Sequence, residues 1–239
     1  MSVRNLILAA GLLLSFSTPG SGGGSEGVFD VYIFGLKAGT LSFSGIEGNG
    51  QYSTAGRLQS GGLVGAVANA RYEAQSRGRL RGGAWTPEYF EEDVNTGKKE
   101  MQARMAYVNG VPQVKQYEPA EKPKPHDLDP STQGDTVDPM TAIYRVLRDQ
   151  PADEVCTNKF FTFDGRRRTR VALRKPTRDG ERVICEGRYV RVGGFPPKDM
   201  AEQRVFPITV EYVPMGGGMM RVDRLTYRTG YGDALLRRR

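Results

Sequence analysis

From Val28 onward, apolar residues recur with a period of two in short runs separated by turn residues, the pattern of half-buried β-strands. Val28–Phe34 and Thr40–Ser44 flank Gly35-Leu36-Lys37-Ala38-Gly39, where Gly35 and Gly39 are read as the turn glycines of a first hairpin. Further reversals are expected at Asn49-Gly50, Arg77-Gly78, Thr96-Gly97, Asn109-Gly110, Asp164-Gly165, Asp179-Gly180 and Gly216-Gly217-Gly218. Asn-Gly and Asp-Gly favour the positive φ of the tight turns whose twist suits antiparallel strands. Between them, Phe161 and Phe163, Val171 and Leu173, Val183 and Tyr189, Ile208 to Tyr212, and Val222 to Tyr227 alternate as strands do. The expectation is a meander of antiparallel strands.

Two segments depart from this period. Asp138-Pro139 opens a run in which Met140, Ile143, Tyr144, Val146 and Leu147 fall at helical spacing. An acid at the cap and proline at the first helical position predict a helix to about Asp149. Gly61 to Ala70 has similar spacing but is glycine-rich, so it is a short helix or a loop. Tyr117 to Pro130 carries four prolines, many charges and the chain's one histidine, His126, and reads as an exposed linker.

The N-terminus follows a different rule. Arg4 precedes the nine-residue apolar run Leu6–Leu14, which as a helix rises only about 14 Å, too short for a bilayer core of about 30 Å. Residues 1–17 are therefore expected to be a secretory signal, followed by a flexible leader over 18–27, a single β domain over 28–232 and a basic tail over 233–239. Export gives meaning to the two cysteines, because paired thiols are the rule in an oxidising compartment. Cys156 and Cys185 are read as a disulfide whose loop stabilises the fold by roughly 3.6 kcal/mol.

Composition then narrows the chemistry. The 239 residues include 38% hydrophobic residues and carry a formal net charge of +7. That is too apolar for a disordered chain, and no apolar run reaches the length of a membrane helix. One His and two Cys supply too few soft ligands for most zinc or iron sites, so no metal or cofactor is expected. The charge is uneven: residues 1–155 hold 15 Lys/Arg against 18 Asp/Glu, and residues 156–239 hold 19 against 9. The densest basic stretch runs through Arg166, Arg168, Arg170 and Arg174. On one strand the first three share a face, where they would form a row for phosphate or carboxylate groups. After export the acidic partners are anionic lipid, lipopolysaccharide and peptidoglycan rather than nucleic acid. The alternative is a solvated strand beside a turn.

No catalytic set emerges. His126 sits in a proline-rich loop with no rigid orientation for a triad. Glu91-Glu92-Asp93 has the acids of a glycoside hydrolase, but consecutive acids near a hairpin are usually a solvated face. Gly216-Gly217-Gly218 lacks the Lys-Ser/Thr of a phosphate loop. Aromatic residues recur at strand positions, and whether they fill a core or line a groove is left open by the sequence.

Taken in order, Phe29-Asp30-Val31-Tyr32, Gly35 to Gly39, Gly62-Leu63-Val64, Asp138-Pro139-Met140-Thr141-Ala142-Ile143-Tyr144, Phe163-Asp164-Gly165-Arg166-Arg167 and Cys185-Glu186-Gly187-Arg188-Tyr189 resemble the domain-of-unknown-function 3108 family of exported Gram-negative proteins. The resemblance spans about Val28 to Tyr231 and implies no activity and no catalytic residues. More distantly, the layout is similar to β-spiral envelope proteins and the half-open barrels of lipoprotein carriers, which implies a strongly curved antiparallel sheet, a β-spiral or incomplete barrel, with one packed α-helix. The expected function is non-enzymatic binding in the periplasm in support of envelope integrity. The alternatives are a lipid or lipoprotein carrier and a cell-wall hydrolase.

Overall fold

The computed structural model describes residues 23–62, 69–229 and 232–239. It is mostly β, as the alternation requires. Six long strands follow one another as a meander: β1 (Gly23–Ile33), β2 (Leu36–Gly48), β3 (Gln51–Ser60), β4 (Arg71–Arg81), β5 (Ala84–Asn95) and β6 (Glu100–Val108). The short β7 (Val111–Pro112) and β8 (Gln116–Glu118) both pair with β6, and β9 (Thr136–Val137) leads into helix α1 (Pro139–Leu147). After β10 (Gln150–Pro151) a second meander runs through β11 (Lys159–Phe163), β12 (Arg168–Asp179) and β13 (Arg182–Gly193). It continues past the short helix α2 (Pro197–Glu202) to β14 (Val205–Gly216), β15 (Met219–Thr229) and β16 (Gly232–Arg238). The two meanders join edge to edge where β16 pairs antiparallel with β1, giving one curved sheet ordered β7-β6-β5-β4-β3-β2-β1-β16-β15-β14-β13-β12-β11-β9. Its two ends approach, β9 lying against β5, without a backbone ladder between them. The result is an incomplete barrel.

Four expectations need correction. The expected leader is strand over Gly23–Gly27, because its backbone pairs with Phe43–Glu47 of β2; the signal segment 1–17 and residues 18–22 lie outside the described residues. The expected basic tail is β16, hydrogen-bonded on both sides to β1 and β15. Gly39 is no turn: the reversal is at Phe34-Gly35, and Gly39 lies inside β2 beside a bulge, with its Cα packed on the Gln59 carbonyl so that no side chain fits. Arg77-Gly78 likewise lies inside β4, opposite a bulge at Glu88 of β5, and the chain reverses at Gly82-Gly83. Most of Gly61 to Ala70 falls outside the described residues.

The helix forms where it was expected. The Asp138 carboxylate accepts from the Thr141 amide at 2.9 Å, proline occupies the first turn, and Arg148 ends the helix in extended conformation. Its apolar face enters the barrel, where Tyr144 and Met140 sit among Phe29, Phe43, Phe90, Phe163, Met105 and Tyr212. Room for it comes from small residues on the facing strands: a Cβ on Gly45 would strike the Tyr144 ring, and one on Gly56 would lie 2.8 Å from the Met140 sulfur. The concave face is a filled core.

The Cys156–Cys185 disulfide is formed, with Cα atoms 5.2 Å apart, and ties the turn after β10 to the middle of β13. Cys156→Ser is expected to lower stability by about 3 to 4 kcal/mol, the loop-closure entropy of such a ring. Equal melting temperatures with and without reductant would contradict this.

Candidate functional site

The gap between the sheet's two ends is closed by side chains. Lys115, on the strap that leads from β7 towards α1, is buried with Glu92 of β5; their side chains are 4% and 10% exposed and lie 2.6 Å apart. The same ammonium donates at 2.7 Å to the carbonyl of Asp164, in the turn between β11 and β12. One cation thus spans both meanders. Tyr72 completes Glu92 by donating to its second oxygen at 3.1 Å, and burial together with the Glu92 charge raises the Tyr72 pKa. Gly165 is required at φ +98 because a Cβ there would run into the Lys115 stem. Asp164 shapes this turn by accepting from the amides of Arg166 and Arg167 at 2.9 and 2.7 Å.

The arginine cluster divides along this seam. Arg166 is in the turn, not on the strand face with Arg168 and Arg170; it stacks on Tyr117, donates to the Tyr117 hydroxyl at 3.0 Å, and lies within reach of Glu121 and Asp127. Arg168 grips Asp135 bidentately at 2.6 and 2.7 Å and lies over Phe161. Arg170 shares that strand face and the same ring at 5.8 Å, while Arg174 is exposed further along β12. Arg166 and Arg168 are therefore occupied by carboxylates of the chain itself. The strap, expected as an exposed linker, is mostly exposed and is also pinned by these contacts and by the Leu128 amide, which donates to the Arg166 carbonyl.

Helix α1 is anchored by a second polar group. Asp138, fully buried, accepts from Ser76 Oγ of β4 at 2.7 Å and from Thr141 Oγ1 at 2.6 Å, and Thr141 also bonds the Tyr52 hydroxyl. Burial raises its pKa against these hydrogen bonds. Farther along the helix, Arg145 lies 4.2 Å from the Phe160 ring centre, and burial, aided by the Arg148 charge, lowers its pKa to about 10.

The open feature is elsewhere, on the solvent face of the first meander. A groove of about 1100 Å³ lies against two cross-strand rows. The strand register aligns Val28, Ser42, Arg57, Glu73, Asp93 and Gln102 in one, and Glu26, Ser44, Ala55, Gln75, Glu91 and Arg104 in the other. Five strand spacings make each row about 24 Å long. Ser42, Ser44 and Ala55 keep the floor low, and Arg221, Arg238 and Arg239 join its lining. Five arginines line it together with Glu26, Glu73, Glu91 and Asp93. Three of the acids are engaged: Arg71 reaches both Glu73 and Asp93, and Glu91 is held below the usual carboxylate range by hydrogen bonds from Tyr89 and then Gln75. Of the Glu91-Glu92-Asp93 run expected as a solvated face, Glu92 points inward, since its neighbours on either side face the groove. Among the described residues no three His, Cys, Asp or Glu side chains gather as a metal site.

A family model described as protein of unknown function (DUF3108) matches residues 28–206. The chain belongs to the DUF3108 family. The matched region of this DUF3108 chain contains the first hairpin, the capped helix, the Asp164 turn and the disulfide, the parts that build the seam. Among solved structures it is similar to a β-barrel-like protein of domain of unknown function DUF1849 from Brucella abortus, at a TM-score of 0.50 and 14% identity, over 90% of this chain and 95% of that one. That likeness is one of fold. No curated protein sequence matches it.

Lys115 and Ser76 carried no signal in the sequence, and the acids Glu91, Glu92 and Asp93 stood out only as a run, because their partners lie many residues away and only register brings them together. The seam and the helix cap each lead to a prediction. Lys115→Met leaves Glu92 buried without its cation and should cost about 3 to 5 kcal/mol in urea melts, with Glu92→Gln in the same chain restoring much of the loss. A double variant no more stable than the single one would contradict the pairing. For Asp138 the folded pKa lies above the ordinary 3.8, so its contribution to stability is complete below that pH and is lost as pH rises through the folded value. Asp138→Asn, which caps equally well and cannot ionise, should gain in melting temperature relative to the parent as pH rises above about 4. A difference independent of pH would refute this.

Proposed function

We propose that this DUF3108 chain is a non-enzymatic binding protein of the cell envelope, exported to the periplasm, whose ligand is an extended polymer carrying both charges, of the peptidoglycan type. The observation that carries the reading is the groove: rows about 24 Å long, with a low floor at Ser42, Ser44 and Ala55, that carry both acids and arginines. A purely anionic ligand would meet Glu26, Glu73 and Glu91 as well as the arginines, whereas a glycan strand whose peptide stems bear carboxylates and amines can exchange with pairs the groove already holds, such as Arg57 with Glu73 and Arg221 with Asp149. The disulfide favours an oxidising compartment.

The two other readings have less support. An acyl chain would have to enter a barrel already packed with Phe29, Phe43, Tyr144 and Met140. A hydrolase needs a carboxylic acid that stays protonated near neutral pH, and Glu91 is shifted the opposite way. Asp138 has a raised pKa but no solvent access.

The test is co-sedimentation of the purified chain with isolated peptidoglycan. Binding is expected at low salt, weakening as salt screens the groove charges. Ala55→Trp, at an exposed position, should fill the floor and weaken binding at least about tenfold without lowering the melting temperature, a loss of about 1.4 kcal/mol. No sedimentation at low salt, or equal binding by the Trp variant, would overturn the reading.

A further inference from the structure

The turn between β1 and β2 breaks a rule that the other described turns with two left-handed central residues keep. Phe34 and Gly35 have φ of +53° and +77°, so both central residues are left-handed. The same geometry is made by Asn49-Gly50, Asn109-Gly110, Gly82-Gly83 and Gly217-Gly218. Asn and Gly accept it at little cost, whereas a bulky side chain there is strained. The ring lies beside the Gly232 backbone, but Phe34 is still 64% exposed, so burial repays little of the strain. Strain held at an exposed aromatic is a mark of function rather than of folding.

Ile33 and Leu36, 41% and 57% exposed, extend Phe34 into an apolar tip at the end of a long hairpin. The base of the tip is cationic. Lys37 and Arg239 share the single carboxylate of Asp30 at 2.9 and 2.8 Å, and Arg228 pairs with Asp233. Arg237 stacks on Tyr32 at 5.4 Å and donates to its hydroxyl at 3.1 Å, with no carboxylate partner among the described residues. Four cations therefore stand over two acids. An apolar tip with aromatic and basic residues behind it matches the layering of a membrane interface, where hydrocarbon lies below anionic headgroups. A second copy of the chain is a poorer occupant, because a two-fold contact through this tip would bring the two cationic collars together.

We propose that the Ile33-Phe34-Gly35-Leu36 tip inserts into the surface of an anionic phospholipid membrane, with Arg237 and Lys37 on headgroup phosphates. The tip itself lies outside the groove, which it meets at Arg239, and the proposal does not depend on the peptidoglycan reading.

The test is co-sedimentation with vesicles of phosphatidylglycerol, and separately of phosphatidylcholine, at low salt. Phe34→Asn puts the preferred residue in the turn, so its melting temperature should equal or exceed the parent's. Its partitioning onto phosphatidylglycerol should fall about tenfold or more, as loss of one buried aromatic side chain requires. Comparing the two chains cancels any contribution of the N-terminal apolar run. Leu36→Ser, outside the strained position, should weaken binding in the same direction, and Arg237→Gln should reduce the preference for phosphatidylglycerol over phosphatidylcholine. Equal partitioning of parent and Phe34→Asn overturns the proposal, as does equal binding of the parent to both lipids. A dimer that Phe34→Asn dissolves in sedimentation equilibrium, with vesicle binding unchanged, also overturns it and reassigns the tip to self-association.

Discussion

Two meanders that share one hydrogen-bonded junction, β1 with β16, leave the opposite side of the barrel without a backbone ladder, and closure there falls to side chains. Lys115 does most of this, because its ammonium is bound at once to Glu92 of the first meander and to the Asp164 carbonyl of the second. A cation so deeply placed is tolerable only with both partners present. That explains the surroundings: Gly165 without a side chain over the lysine stem, Asp164 locking its own turn, and Tyr72 holding the second oxygen of Glu92. The arginines that follow tie the strap down on the outside.

Inside, the helix fills the space that an incompletely closed sheet would otherwise leave to water. It is held at its start by Asp138, whose carboxylate bonds the helix amide and a β4 hydroxyl together, and along its length by contact with Gly45 and Gly56. A packed interior moves any binding to the outer surface. The first meander presents small residues there, whereas the second carries its charge on β12 and at the seam, where two of the most prominent arginines are already neutralised by the chain.

Local signals in the sequence were legible wherever a residue's own backbone decided the outcome. Asn49-Gly50, Asn109-Gly110 and Asp164-Gly165 turn because their φ preferences say so, and Asp138-Pro139 starts a helix for the same kind of reason. Gly39 and Gly78 misled because a glycine may be demanded by a neighbour's carbonyl instead of by a turn, and that neighbour sits on another strand. The glycine-rich leader and the terminal arginines looked like unstructured ends; each became strand because an open edge lay beside it.

By itself the sequence determined the class of the fold, the helix and its cap, and the cysteine pair, since alternation, capping and turn chemistry act over a few residues. Tertiary structure alone decided which charges are spent and which are open. Arg166 and Arg168 meet Glu121, Asp127 and Asp135 across more than thirty residues of chain, and Ser42, Arg57, Glu73 and Asp93 form one row only through the register of four strands. Electrostatic roles depend on distance in space, and no local pattern in the chain encodes it.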